Sequence, residues 1–391
     1  MERTFLAKNP STLWFLLALS LFTIVITLLS EAAGGGFVST SFLKTLGKTL
    51  CLCLVAVAMD VVWGYCGILS LGHFAFFGIG GYAIGMWLMY ERTRDIVVSS
   101  LETGVLPPTP DEVTQAIGTQ IFGVVGSSEF PAIWAFSHSL TLQLLAVVLV
   151  PGLLALVFGW LAFRSRVTGV YLSILTQAMT LALSLYFFQN DTGLRGNNGL
   201  SGLQNIPGFE ATSQDILSLW FFWASAVALA LGYILFAWIT SGKLGSVIRA
   251  VRDNEARVRF LGYHVESYKL FVFTVTAMIA GIAGALYYPQ AGIINPAEIA
   301  PIASIYLAVW VAIGGRGRLY GAVIGAAVVS LLSSWFTGGS APDVNLGVYV
   351  IKWTDWWLVL LGLVFVAVTL FFPKGIGGLF DLAERRKGQG S

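Results

Sequence analysis

An all-α polytopic membrane protein with about ten transmembrane helices is the fold class this sequence predicts. Three observations predict it. The 391 residues are 57% hydrophobic and only 11% charged, with a mean hydropathy of +0.80, whereas soluble domains carry about 25% charged residues. Several runs reach the roughly 20 apolar residues that cross a bilayer as a helix. The alternating pattern of a membrane barrel strand is missing.

Candidate spans run over 13–30, 45–64, 72–90, 139–163, 167–188, 216–239, 270–289, 300–314, 319–336 and 355–372. Arg3 and Lys8 precede Leu13–Leu29, and Ser30-Glu31-Ala32-Ala33-Gly34 follows. That order resembles a secretory signal, but the apolar run is long for one, which favours an uncleaved first helix. The segment 64–80 is rich in Gly and small polar residues and reads as irregular. The run 300–314 is short for a crossing and reads as a half-helix or re-entrant segment.

Charge orients the spans. Arg164, Arg166, the segment 241–269, Arg316, Arg318, Lys374 and the tail's Arg385, Arg386 and Lys387 fall on one side. Positive residues mark the cytoplasmic side, so the N-terminus (1–12) and the tail (381–391) are both placed there, with the membrane domain covering 13–380. Lys44, Lys48 and Lys352 are exceptions near outer helix ends, read as snorkelling or connector residues. The segment 91–131 becomes an extracytoplasmic excursion. Its Pro107-Pro108-Thr109-Pro110 run cannot continue a helix, and its few large apolar residues favour a loop over a subdomain.

The net charge of +2 comes from basic residues at membrane edges, which argues against nucleic-acid binding. Cys51, Cys53 and Cys66 match neither a zinc site nor a disulfide framework and read as small core residues. No histidine pair has metal-ligand spacing, and no nucleophile–base set points to an enzyme. Gly81 with Gly85, and Gly321 with Gly325, have the four-residue spacing of close helix packing.

Polar residues inside spans are candidates for a solute path. His73 beside Ser70 is either a path residue or a histidine bonded to a backbone carbonyl. Asp60 reads as a proton-relay acid or, with more support, as a partner of Arg164 or Arg166. Thr176, Gln177, Thr180 and Ser184 share one side of a helix, forming either a water-lined face for a neutral or zwitterionic solute or interhelical hydrogen bonds. In the following loop, Asn190 to Leu200, Asn197 and Asn198 supply amides that either receive solute or only shape turns.

The segment Ser241–Lys269 is a charged island between oily runs. Val247, Ile248, Val251, Val258 and Leu261 recur at helical spacing, so one face is oily and the other charged. That form suits a surface helix offered to a soluble partner.

Several blocks together resemble one family. Gly67-Ile68-Leu69-Ser70-Leu71-Gly72-His73-Phe74-Ala75-Phe76-Phe77-Gly78-Ile79-Gly80-Gly81-Tyr82, Gly169–Thr176, Ile248–Ala256 with Gly262, Ala280–Tyr287 and Ile313–Gly317 resemble, in order, the M-type permeases of branched-chain amino acid ABC transporters. Arg195-Gly196-Asn197-Asn198-Gly199-Leu200 looks like the urea and short-chain amide subgroup. The resemblance implies a type II-importer-like permease in the bacterial inner membrane. It implies a second related permease subunit, two cytoplasmic ATPase subunits and an extracytoplasmic solute-binding protein as partners. ATP and Mg would sit on the ATPases, with no cofactor on this chain. Arg249, Arg252, Asp253, Asn254, Glu255, Ala256 and Gly262 would form the coupling segment, with its oily face filling a groove on an ATPase. The favoured expectation is a urea or amide importer. Alternatives are branched-chain amino acid import by the same machine, or a self-sufficient ion-coupled carrier or urea channel, which scarce intramembrane acids disfavour.

Overall fold

The computed structural model describes residues 9–31, 34–101, 109–126, 130–165, 167, 169–209, 212–338, 344–345, 350–351, 353–371 and 375–378. Expectations for Arg3, Lys8, Arg166, Pro107, Pro108, Lys352, Lys374 and the tail lie outside these residues.

The apolar runs all fold as helices. They are α1 (Pro10–Leu29), α2 (Thr40–Asp60), α3 (His73–Leu101), α5 (Leu140–Arg164), α6 (Val170–Phe188), α7 (Gln214–Ser241), α10 (Val265–Ala291), α11 (Pro301–Gly314), α12 (Leu319–Thr337) and α13 (Trp353–Phe371). Shorter helices are α4 (Pro110–Phe122), α8 (Lys243–Asp253) and α9 (Glu255–Phe260). Among the described residues, seven helices are long and apolar enough to cross a membrane; α11 and α13 are shorter apolar helices.

Helix α2 is the central post, buried from Leu50 to Asp60. It packs on α7, α10 and α12, while α3 packs on α10 and α5. By contrast α1 and α5 leave rows of Leu, Val and Trp exposed, as expected of faces turned to lipid tails. Small residues make the tightest crossing possible. A Cβ on Gly284 of α10 would lie 1.8 Å from the Phe77 carbonyl oxygen of α3, and one on Gly80 would lie 2.1 Å from the Gly281 carbonyl. The Gly321 and Gly325 pair plays the same part: a Cβ on Gly325 would lie 2.1 Å from the Trp310 carbonyl.

Two irregular stretches interrupt the helices; the first lies within 64–80, where Gly and small polar residues predicted it, although helix already resumes at His73. After α2 a π-turn (Val61–Tyr65) leads into extended residues 67–70, with Gly67 at φ 78°, before α3 begins at His73. After α10, Gly292 at φ 81° ends the helix; β2 (Ile293–Ile294) and a 3₁₀ turn (Pro296–Ile299) then precede the short α11. β2 pairs antiparallel with β1 (Leu200–Ser201). β3 (Val344–Asn345) and β4 (Val350–Ile351) form a second small pair.

The segment 91–131 departs from the loop expectation. Helix α3 runs on to Leu101, and α4 follows with Thr109 as N-cap and Glu112 closing a capping box. The Thr-Pro-Asp-Glu order supplies the cap, Pro at the first position and acids in the first turn, a helix start legible in the residues. Ile117, Ile121, Phe122 and Trp134 are buried, and Phe122, Phe130 and Trp134 meet edge to face. Few apolar residues suffice because large aromatic rings supply most of the area.

Candidate coupling surface and solute path

The bundle has two polar ends. At one, α8 and α9 link α7 to α10. Asn254 breaks the island into two helices and caps the second, its side chain accepting from Arg257 N–H at 3.0 Å. The oily face does not remain free for a partner: Ile248, Val251, Val258 and Val265 are buried within the chain itself. This corrects the expectation of an oily helix offered outward. An apolar stripe with helix ends anchored to the bundle is most stable folded back onto it. What projects is the tip, where Phe260 is 92% and Leu261 71% exposed beside Gly262 at φ 87°. Ala256, Asp253 and Asn254 are also exposed.

The charges of the hairpin are mostly engaged inside the chain. Arg252 donates to the Gly64 carbonyl at 2.6 Å and pairs with Asp253 at 3.1 Å. Arg249 donates to the Thr240 carbonyl at 2.8 Å. Glu255 accepts from Arg259 at 2.7 Å and from the buried Lys269 at 2.6 Å, and Arg259 also pairs with Glu266. Burial alone would raise the Glu255 carboxyl, but Lys269 and Arg259 outweigh it and hold it below the usual carboxylate range.

Asp60 belongs to this end too, in a role different from pairing with Arg164. Its Oδ1 accepts from Gly317 N–H at 2.7 Å. The acid therefore clasps the Gly315–Arg318 turn against α2, in the electrostatic field of Arg316 and Arg252. Arg164 instead lies over the Trp160 ring.

Ser70, His73, Thr176 and Thr180 form one buried cluster around the break before α3. Ser173 donates to the Leu69 carbonyl, Thr176 accepts from Leu71 N–H at 3.0 Å, and Thr180 reaches the Leu71 carbonyl at 3.2 Å. The hydroxyls thus satisfy backbone that the irregular stretch frees, as a membrane interior demands. His73 bridges Ser70 Oγ at 3.2 Å and Thr276 Oγ1 of α10 at 3.3 Å. Gln177 is half-buried nearby on α6. Asn197 and Asn198 lie exposed in the loop beyond the other end of α6, and that end is about 18 Å from Thr176 along the helix axis. The structure does not bring them to the His73 cluster.

At that far end, residues 189–209 and the break after α10 interlock. Arg195, at φ 62° and buried, donates to the Gly199 carbonyl. A Cβ on Gly199 would lie 2.1 Å from the Ile294 carbonyl, so the Asn-Asn-Gly order serves a close backbone approach. A cavity of about 520 Å³ opens beside it, lined by Arg92, Asp95, Asn205, Thr212 and Gln214. Lys44 donates to Gln214 at 3.2 Å at its rim.

Glu298 carries no local pattern in the sequence, and Lys48 reads there as a snorkelling or connector residue near an outer helix end. Lys48 lies two turns into α2, about 12 Å from its start. Glu298 sits in the 3₁₀ turn before α11. Burial raises its carboxyl, and Lys48 partly offsets that. A lysine inside an otherwise apolar span was the available signal.

A family model described as "Branched-chain amino acid transport system / permease component" matches residues 41–369. Among curated relatives, the high-affinity branched-chain amino acid transport system permease protein LivM of Escherichia coli is 24% identical over 282 residues, covering 65% of this chain and 63% of the relative. The ribose import permease protein RbsC of Haemophilus influenzae is 26% identical over 117 residues, 29% of this chain and 35% of that one. The autoinducer 2 import system permease protein LsrC of Photorhabdus laumondii is 28% identical over 145 residues, 35% and 40%. The matches thus span less than two thirds of these relatives' own lengths. No solved structure matches. The match over 41–369 takes in both the hairpin and the broken helix, and the chain belongs to the branched-chain amino acid permease component family.

Proposed function

We propose that this chain is the membrane-spanning permease subunit of an ATP-driven importer for branched-chain amino acids. It crosses a bacterial inner membrane about ten times, with the α8–α9 hairpin in the cytoplasm. The observation that supports this best is a hairpin locked to the bundle by Arg252, Arg249 and Lys269, with an exposed Phe260–Leu261 tip, in a chain of this family. Two cytoplasmic ATPase subunits carry ATP and Mg, a second related permease subunit completes the path, and an extracytoplasmic binding protein delivers solute. The tip seats in the ATPase, and Ala256 and Gly262 shape its approach. Because Arg252 is bonded to the turn between α2 and α3, movement of the hairpin is transmitted to the centre of the bundle.

Amino acids take precedence over urea because two LivM proteins are among the relatives. The Arg195–Leu200 loop weighs less, since close backbone packing accounts for its form. Uptake of labelled leucine and labelled urea is measured in cells with and without this chain. Loss of leucine uptake alone on deletion supports the reading; loss of urea uptake alone overturns the solute. Phe260→Ser with Leu261→Ser should abolish co-purification of the ATPase while the chain still folds. Undiminished co-purification overturns the docking role.

A further inference from the structure

Four elements converge at the far end without using all their polar atoms. Gln290, in the last turn of α10, packs against α2, where a Cβ on Gly47 would lie 1.9 Å from its Oε1. Its Nε2 donates to Ser225 and Leu286, but Oε1 is buried without a partner. The hydroxyls of Tyr288 on α10 and Tyr82 on α3 are likewise buried and unpartnered. Tyr288 packs against Gly81, and Gly78 abuts Ile299, which seats the 3₁₀ turn bearing Glu298 on the same stretch of α3.

Glu298 acts electrostatically on Tyr82, Tyr287 and Tyr288 as well as on Lys48. Lys48 and Glu298 are both half-buried and sense each other, yet no direct ion pair joins them. Opposite charges kept only to stabilise an apolar interior gain most from direct contact. A separated pair flanked by unsatisfied hydroxyl and amide groups has the form of a place for a dipolar guest.

The geometry points to a zwitterion site at the break between α10 and α11. Lys48 takes the guest's carboxylate, Glu298 takes its ammonium, and Tyr82, Tyr288 and Gln290 line the space between. The 520 Å³ cavity opens at the same end: its wall includes Gln214, which accepts from Lys44, one helical turn from Lys48 on α2. This site deepens the importer reading and rests on it. It also makes the two-charge guest, and not a neutral amide, the solute class that the fold prefers.

The test uses the full transporter, with its ATPases, second permease and binding protein, in proteoliposomes. Labelled leucine and labelled urea are the probes for wild type, Lys48→Gln, Glu298→Gln and the swap Lys48→Glu with Glu298→Lys. The site predicts at least tenfold loss of leucine uptake in both single variants, with the yield of assembled complex unchanged. The swap stays inactive, because the guest would have to enter reversed. A merely structural pair would instead lower the yield of assembled complex in the single variants and recover in the swap, which overturns the site. Leucine uptake within twofold of wild type in both single variants also overturns it and leaves the importer reading intact. So does a wild-type complex that assembles and carries urea but not leucine. A wild-type chain that neither binds ATPase nor supports any uptake brings down the importer reading, and the site with it.

Discussion

At the coupling end, Arg252 reaches Gly64, Arg249 reaches Thr240, Asp60 holds Gly317, and Glu255 gathers Arg259 and Lys269. At the far end, Lys48 and Glu298 influence each other electrostatically without an ion pair, and Tyr82, Tyr288 and Gln290 each keep a buried polar atom without a partner. Both ends are built from the same kinds of residue, so composition does not separate them. Satisfaction does. A segment that transmits force gains from having its charges fixed to the bundle, because a loosely held lever dissipates movement. A segment that binds and releases a polar solute needs groups whose best partners are not already within the chain. The contrast is therefore a physical signature of handle and receptor, and it can be broken by substitutions whose effects on stability have opposite signs.

The largest effect is expected at Glu255. Glu255→Gln leaves the buried Lys269 without its counter-charge. Breaking a buried pair costs 3–5 kcal/mol, and a quarter-exposed carboxylate places this case at about 3 kcal/mol. The loss is read as a lower thermal unfolding midpoint of the purified complex and faster proteolysis within 243–263. The wild type has a matching acid dependence. Because the folded carboxyl lies below its ordinary range, its stabilisation is complete above that range and fades as pH falls through the lowered value. Glu255→Gln should lack that step. A variant as stable as wild type would mean that the hairpin is held by its valines alone.

The opposite sign is expected at Tyr288. Removing a buried hydroxyl that has no partner removes a desolvation penalty of about 1 kcal/mol or more, so Tyr288→Phe should leave the complex as stable as wild type or slightly more stable. Leucine uptake should nevertheless fall severalfold. Stability and uptake falling together would show that Tyr288 is an ordinary core residue, and the contrast between the two ends would lose its receptor half.

Much of this organisation was legible in the residues. Each predicted span falls on a helix, because apolar length is a strong signal, but among the described residues seven helices are long and apolar enough to cross, against the about ten expected. The break within 64–80 was visible as a cluster of Gly and small polar residues, and the shortness of 300–314 marked a half-helix. Pairings across the bundle were not. Asp60 was assigned to Arg164 by proximity in the span layout, yet it meets Gly317, 257 positions away in sequence. The oily stripe of the hairpin was correctly seen as a helix face, but periodicity says which residues share a face and not what that face packs against. Glu298 escaped notice because a lone acid in a connector carries no local pattern; only the fold brings it to Lys48. The segment 91–131 was misjudged as a loop because counting apolar residues ignores how much area three aromatic rings bury.

The smallest effect is expected in that segment, and it sharpens the far-end half of the comparison. Thr109 N–H and hydroxyl both engage Glu112 in the capping box that starts α4. Thr109→Ala removes the hydroxyl that accepts from Glu112 N–H and should cost about 1 kcal/mol, confined to α4 because the helix is anchored independently by Ile117, Ile121 and Phe122. Hydrogen exchange should rise over 110–114 and stay unchanged in α3 and α10. Leucine uptake should remain within twofold of wild type, since the Lys48–Glu298 pair depends on the α10–α11 break and not on the α4 cap. A tenfold fall in uptake with intact assembly would place α4 itself in solute entry or in contact with the binding protein, and the receptor would then extend beyond the broken helix into the segment that precedes α5.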